Sequence, residues 1–233
     1  RVPVYASGGF TSTGLDALAD EVEGYVADGH RRVKIKVGRH PDEDLERVRV
    51  LSGAAGPGIE LMVDANGAYS RKQAPAMADE VAQYGVVYFE EPVTSDDLEG
   101  LHLLSDRAPM AVAAGEYGYD EMYFRRMLEA EAVDILQADP TRCLGITGFQ
   151  HADALCTGFT MPLSSHCAPS ISLHACEAAR QLAHLEYFRD HVRMENMLFD
   201  GTAQIDDGEL AIDTERYGLG IELRPVEAER LAA

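Results

Sequence analysis

Short runs of β-branched and apolar residues recur along this chain at a nearly constant period. They begin near Val4, Val33, Ile59, Val86, Ala111, Val133, Thr160 and His184, at intervals of 29, 26, 27, 25, 22, 27 and 24 residues. Each interval has room for one strand, one helix and two short loops. Between the runs, apolar residues take helical spacing. Leu15, Leu18, Val22, Tyr25 and Val26 mark one face, and Leu45, Val48 and Leu51 mark the next. Helix starts are signalled by Pro41 in a first turn, by Ser70 with Gln73 three residues on, and by Asp120. Eight such units over about 190 residues predict an α/β fold, a TIM-type (β/α)8 barrel. The rival, a doubly wound open sheet, would most naturally carry Gly-x-Gly-x-x-Gly after its first strand, and no such run is present. The barrel is assigned to residues 1–196. The stretch Met197 to Leu223 is rich in Gly and Asp, so residues 197–233 read as an extension of short strands and turns that packs back on the barrel or on a cap.

Charge narrows the partners. Against 20 Lys+Arg stand 40 Asp+Glu, a formal charge of −20, which argues against nucleic acid and anionic membrane surfaces. No apolar run approaches the roughly 20 residues that span a bilayer. Arg1 opens directly on a strand-like segment with no secretory signal, and the start without Met suggests a piece of a longer polypeptide. Cys143, Cys156, Cys167 and Cys176 form no Cys-x-x-Cys pair, so they are expected to be reduced thiols of a cytoplasmic protein.

Barrel chemistry sits at the C-terminal ends of the strands, and here those ends carry an unusual set. The chain has three lysines beside 17 arginines, yet Lys34 and Lys36 share the strand Val33-Lys34-Ile35-Lys36-Val37. Period-two alternation puts both ammonium groups on one face and the apolar residues on the other. Two like charges facing a closed interior should depress each other's pKa and make one a neutral base. Asp64, Glu90 and Glu116 end the next three strands, each 26 residues from the last. One strand-end carboxylate is ordinarily a helix cap, but three converging would repel, and a cation is the natural compensation. All-oxygen ligation favours a hard ion such as Mg²⁺. Asp139 and His166 end adjacent strands 27 residues apart, where an Asp–His hydrogen bond is geometrically natural, and Glu186 adds a carboxylate from the eighth strand.

The ordered set Val33-Lys34-Ile35-Lys36, Val63-Asp64-Ala65-Asn66-Gly67, Phe89-Glu90-Glu91-Pro92, Ala114-Gly115-Glu116, Asp139, Ser164-Ser165-His166 and His184-Leu185-Glu186 covers nearly the whole chain. It resembles the barrel domain of the mandelate racemase/muconate lactonizing branch of the enolase superfamily. The resemblance implies a modified, (β/α)7β-like barrel and residue roles. Asp64, Glu90 and Glu116 would bind Mg²⁺, which grips a substrate carboxylate. Lys36 would move the α-proton, with Lys34 tuning it. His166, oriented by Asp139, would act on the opposite face as base or acid. A protonated Glu186 would donate to the developing enolate, and Asn66 and Arg142 would contact substrate. Such sites use a Lys or His base with Mg²⁺ stabilising an ene-diolate.

The family's N-terminal cap domain is absent from this chain and is expected in the full-length protein, and a homo-oligomer is expected by the same resemblance. The family's Pro-Gly-Leu-Gly reads Tyr217-Gly218-Leu219-Gly220 here. The implied reaction is Mg²⁺-dependent α-proton abstraction from a small-molecule carboxylate, first as dehydration of an acid sugar (aldonate or aldarate). Racemisation of a 2-hydroxy acid uses the same residues, and a non-catalytic binding barrel is the third reading.

Overall fold

A computed structural model describes residues 1–232. Strands and helices alternate at the spacing of the apolar runs. The order is β1 (Val2–Gly8), α1 (Leu15–Ala27), β2 (Arg32–Lys36), α2 (Pro41–Ala55), β3 (Glu60–Asp64), α3 (Ala74–Ala82), β4 (Val86–Glu90), α4 (Leu98–Arg107), β5 (Ala111–Ala114), α5 (Glu121–Glu129), β6 (Ile135–Ala138), α6 (Gly145–Phe159), β7 (Leu163–Ser165), α7 (Pro169–Glu177) and β8 (Leu182–Phe188). There follow α8 (Arg189–Leu198), β9 (Phe199–Asp200), β10 (Glu209–Leu210), β11 (Glu222–Leu223) and α9 (Pro225–Leu231). Strands β1 to β8 pair in chain order, all parallel, and β1 pairs with β8 to close the barrel.

Local chemistry explains most helix starts. Pro41 opens α2, where its missing N–H costs nothing, and Asp42, Glu43 and Asp44 follow at the positive end of the helix. Asp97 and Asp120 cap α4 and α5 by accepting from the amides of Gly100 and Tyr123, each at 3.0 Å. Ser70 and Gln73 do hydrogen-bond, at 2.8 Å, but they close a turn, and α3 begins one residue later at Ala74. The seventh strand starts at Leu163 rather than Thr160. Thr160 takes the left-handed conformation (φ 57°) that stops α6.

Two apolar clusters result. The larger fills the shell between strands and helices, with Val33 and Ile35 of β2 fully buried in it. The smaller lies inside the barrel and consists of Tyr5, Met62, Tyr88 and Ala113. Beyond the barrel wall, β10 adds to β1 antiparallel, with Val2 opposite Leu210, while β9 and β11 form a separate two-stranded ribbon. Helix α8 has no buried residue, so the eighth unit is helical without packing into the core as the others do. Among the described residues no helix is long and apolar enough to cross a membrane.

One glycine is required by geometry next to the strand ends. Gly115 has φ +135°, and a Cβ there would lie 2.2 Å from the carbonyl oxygen of Gln137 on β6. Gly115→Ala should therefore destabilise the fold by about 2–4 kcal/mol, through clash and backbone strain together. The check is urea denaturation; a midpoint equal to the parent's would mean that β5 and β6 do not need this close approach.

Candidate active site

Register builds the first half of the site. Lys36 on β2 lies opposite Asp64 on β3, and Asp64 lies opposite Glu90 on β4, so one line across three strand ends carries a cation and two anions. Lys36 Nζ is in hydrogen-bond contact with Asp64 Oδ2. Two residues deeper, Lys34 is fully buried, with Nζ 2.5 Å from Glu90 Oε2, 2.9 Å from Glu186 Oε1 and 3.8 Å from Asp64 Oδ2. Its ammonium also sits 4.9 Å from the Tyr5 ring centroid. Tyr5, Tyr88 and His184 make edge-on contacts below it and form an aromatic floor.

Asp64, Glu90 and Glu116 each offer a carboxylate oxygen, and these atoms all lie within 4.8 Å of one another. All three residues are buried. Glu116 lies two residues past β5 and reaches the group through the Gly115 turn. Glu90 Oε1 and Glu116 Oε2 are buried without a hydrogen-bond partner. Three clustered oxygen donors, two of them with an oxygen that no hydrogen bond satisfies, suit a hard divalent cation. Burial first, then Asp64, pushes the Glu90 carboxyl well above its usual range.

The other half comes from β6 to β8. His166 Nδ1 is 2.8 Å from Asp139 Oδ2, and Asp139 Oδ1 accepts from the Thr141 amide and hydroxyl, both at 2.7 Å. This aims Nε2 into the barrel mouth, 3.2 Å from Glu116 Oε2 and 3.6 Å from Glu186 Oε2. Burial pulls the His166 pKa down, but Glu186, Asp139 and Glu116 outweigh it, and the net shift is upward. The imidazolium is favoured.

Two electrostatic expectations are corrected. The lysines do not depress each other into a neutral base. Burial lowers both, and Lys34 also lowers Lys36, but Asp64 beside Lys36 and Glu186 with Glu90 around Lys34 leave both pKa values raised. Alternation alone reveals the shared face and says nothing of the carboxylates the neighbouring strands bring to it. Glu186 is not held protonated either. Burial raises its pKa, yet Lys34, His166 and Lys36 together hold it well below the usual range, so it is ionised.

Of the expected substrate contacts, Asn66 is exposed at the mouth, its amide donating to Asp64 Oδ1 at 2.8 Å, with φ 44°. Arg142 is one-third exposed. Its Nη1 donates to the Glu116 carbonyl at 3.0 Å, its Nε lies 3.5 Å from Asp139 Oδ2, and its guanidinium stands 5.3 Å over the Tyr117 ring. A cavity of about 490 Å³ opens beside them, lined by Asn66, Glu91, Tyr117 and Tyr119 among others.

Two residues escaped the sequence reading. Glu91 is buried at φ 38° with Oε1 unpartnered, and burial, then Glu116 and Asp64, push its carboxyl up to about 8. The Glu90-Glu91 doublet was its visible signal. Cys167 is buried against His166 and Glu186, with Sγ 3.2 Å from both Nε2 and Oε2. Its position next to His166 could have flagged it, but cysteine spacing could not. All four cysteines are free and buried.

The Enolase C-terminal domain-like family matches residues 17–227. Arabinonate dehydratase of Saccharolobus solfataricus is 29% identical over 231 residues, covering 96% of this chain and 62% of its own. A mandelate racemase/muconate lactonizing enzyme-like protein from Rubrobacter xylanophilus superposes with TM-score 0.96 at 52% identity, over 98% of this chain and 64% of that one. A racemase from Streptomyces coelicolor A3(2), solved with bound magnesium, gives TM-score 0.89 at 28% identity, over 99% and 62%. The chain thus spans less than two thirds of each of these proteins.

The electrostatics around His166 are open to measurement. Glu186→Gln and Asp139→Asn each remove an anion that favours the imidazolium, so each should lower the His166 midpoint by about one pH unit or more. An NMR titration of the metal-free chain reads this directly. Unchanged midpoints in both variants would rule out carboxylate control of His166.

Proposed function

Since this chain belongs to the Enolase C-terminal domain-like family, we propose that it removes the proton α to the carboxylate of an acid sugar and then expels the β-hydroxyl as water. The observation that carries this reading is the Lys34–Lys36 pair and the Asp139–His166 pair bordering one buried carboxylate cluster. The preference for an acid sugar rests on the arabinonate dehydratase, which covers 96% of this chain.

The demand on the site follows from the substrate. Ionising the carbon next to a carboxylate places a second negative charge beside the first, and the site must supply much of the ~8–23 kcal/mol typical of enzymes. Asp64, Glu90 and Glu116 would hold Mg²⁺, which would offset their negative charge, including the charge Asp64 presents to Lys36, and would supply a Lewis acid for the substrate carboxylate. Lys36, whose ammonium Asp64 sustains in the metal-free site, would lose that proton to solvent once Asp64 is engaged by the cation, and its neutral Nζ then takes the α-proton. Lys34, fully buried and charged, lends fixed positive charge beneath the developing dianion. His166, kept as imidazolium by its carboxylates, gives Nε2–H to the departing β-hydroxyl as the C–O bond breaks, and water leaves. The enol that remains becomes a 2-oxo acid. Asp139 holds the ring through Nδ1 and restores its proton affinity.

A second reading is racemisation of a 2-hydroxy acid, in which Lys36 and His166 exchange one proton on opposite faces. It is favoured by the magnesium-bound racemase neighbour and needs no other residues.

Incubating the full-length natural protein with a panel of sugar acids in D₂O, with Mg²⁺, separates the readings. Dehydration gives a 2-oxo acid; racemisation gives recovered substrate of inverted configuration carrying deuterium. Lys36→Ala and His166→Asn should each abolish net turnover, with one variant retaining α-hydrogen exchange for substrates that face its intact base. Loss of all exchange in both, in folded Mg²⁺-loaded protein, contradicts two independent bases. Glu90→Gln should weaken Mg²⁺ binding at least ~10-fold by calorimetry and stop turnover. Undiminished affinity would remove Glu90 from the ligand set.

A further inference from the structure

Beside the all-oxygen cluster lies a second group of different chemistry. His166 Nε2, Cys167 Sγ and Glu186 Oε2 form a buried triangle with edges of 3.2, 3.2 and 3.6 Å. Tetrahedral zinc, with bonds of ~2.0–2.3 Å, sets neighbouring ligands ~3.3–3.8 Å apart, so the triangle is close to one face of a zinc tetrahedron, its two sulfur edges slightly short. Each ligand atom is already oriented by something else. Asp139 occupies Nδ1 of His166 at 2.8 Å and turns Nε2 to the triangle, where it also stands 3.2 Å from Glu116 Oε2; a carboxylate behind the ring is the arrangement usual for zinc. Lys34 occupies the other oxygen of Glu186 at 2.9 Å and turns Oε2 towards the triangle. Cys167 is held in the left-handed region, at φ 51°, with Ala168 following at φ 44°, a strained pair that points the thiol inward.

We propose that His166, Cys167 and Glu186 form a site for a thiophilic divalent cation, Zn²⁺ above all, whose occupancy switches the enzyme off. Ligand softness sorts the two sites. Thiolate and imidazole favour zinc, whereas Asp64, Glu90 and Glu116 offer oxygen alone and favour Mg²⁺. Without the ion the thiol is neutral and donates to Glu186 at 3.2 Å; binding releases that proton and the imidazolium's Nε2 proton to solvent, and the cation takes the place of both. The fourth corner is left for water or a substrate oxygen. Inhibition follows if His166 is the proton donor proposed above, because the metal then holds the nitrogen the reaction needs. That part rests on the proposed function; binding does not.

Cobalt(II) is the probe, titrated into this chain with Mg²⁺ present. One saturating equivalent should produce a thiolate-to-cobalt charge-transfer band that Zn²⁺ bleaches. Cys167→Ser should abolish the band, and His166→Asn should weaken cobalt binding at least ~10-fold. Circular dichroism confirms that both variants are folded. No band in the parent, or a band that survives Cys167→Ser, overturns the site. In the full-length natural protein, zinc should inhibit turnover, and Cys167→Ser should raise the half-inhibitory concentration at least ~10-fold relative to its own metal-free rate. A cobalt band without zinc inhibition keeps the site and sinks the donor role of His166; inhibition unchanged by Cys167→Ser sinks the switch.

Discussion

A lysine with no exposed surface dictates how the inside of this barrel is arranged. Lys34 cannot stay charged in a closed interior without carboxylates around it, and three other strands supply them: Glu186 and Asp64 are held ionised beside it, and Glu90 lies 2.5 Å away. Stripping one partner from a buried ion pair typically costs about 3–5 kcal/mol, so the lysine and its carboxylates hold one another in place. The same contacts crowd the mouth with carboxyl groups, since Glu91, Glu116 and Asp139 are buried there too, and burial with this crowding pushes the Glu90 and Glu91 carboxyls up so that they resist ionisation. A divalent ion held by Asp64, Glu90 and Glu116 would let those three carboxylates ionise together.

Much of this was legible before any coordinates, for a definite reason. In a parallel barrel whose units have equal length, strand ends fall in register, so a constant 26-residue spacing of Asp64, Glu90 and Glu116 translates into spatial convergence. Alternation likewise gave the common face of Lys34 and Lys36. The net charge state of those groups was not legible, because it depends on distances between side chains from non-adjacent strands: Glu186 reaches Lys34 from β8, and this pairing reverses the sign expected for both residues. Cys167 was invisible for a related reason. Its partners His166 and Glu186 are a neighbour in sequence and a residue 19 positions away, and no cysteine spacing rule encodes that set.

The mouth and the floor do different work. Aromatic rings below Lys34 leave it without solvent, and burial with nearby positive charge drives His184 down to about 3, so the floor contributes no mobile proton. Proton traffic belongs to the mouth, where left-handed backbone at Asn66, Glu91, Cys167 and Ala168 turns the chain just past the strands. Such conformations each cost of order 1–3 kcal/mol and persist only where surrounding structure compensates. Here the compensation is the charge network itself, which ties the site's geometry to its electrostatics.

Closure of the ring by β1 and β8 has a consequence in time. Val4 pairs with Leu185 and Tyr5 with Glu186, contacts between the two ends of the barrel sequence. Pairings this distant form late, since loop entropy must be spent before they contribute. As the chain leaves the ribosome, Lys34 emerges more than 150 residues ahead of Glu186 and waits without that counter-charge. An incomplete barrel therefore carries a lysine short of one counter-charge and two open sheet edges, the latter a trait of species that associate wrongly or engage chaperones. The last barrel strand to be synthesised both seals the ring and balances its interior charge, so closure of the barrel and completion of the site become one event.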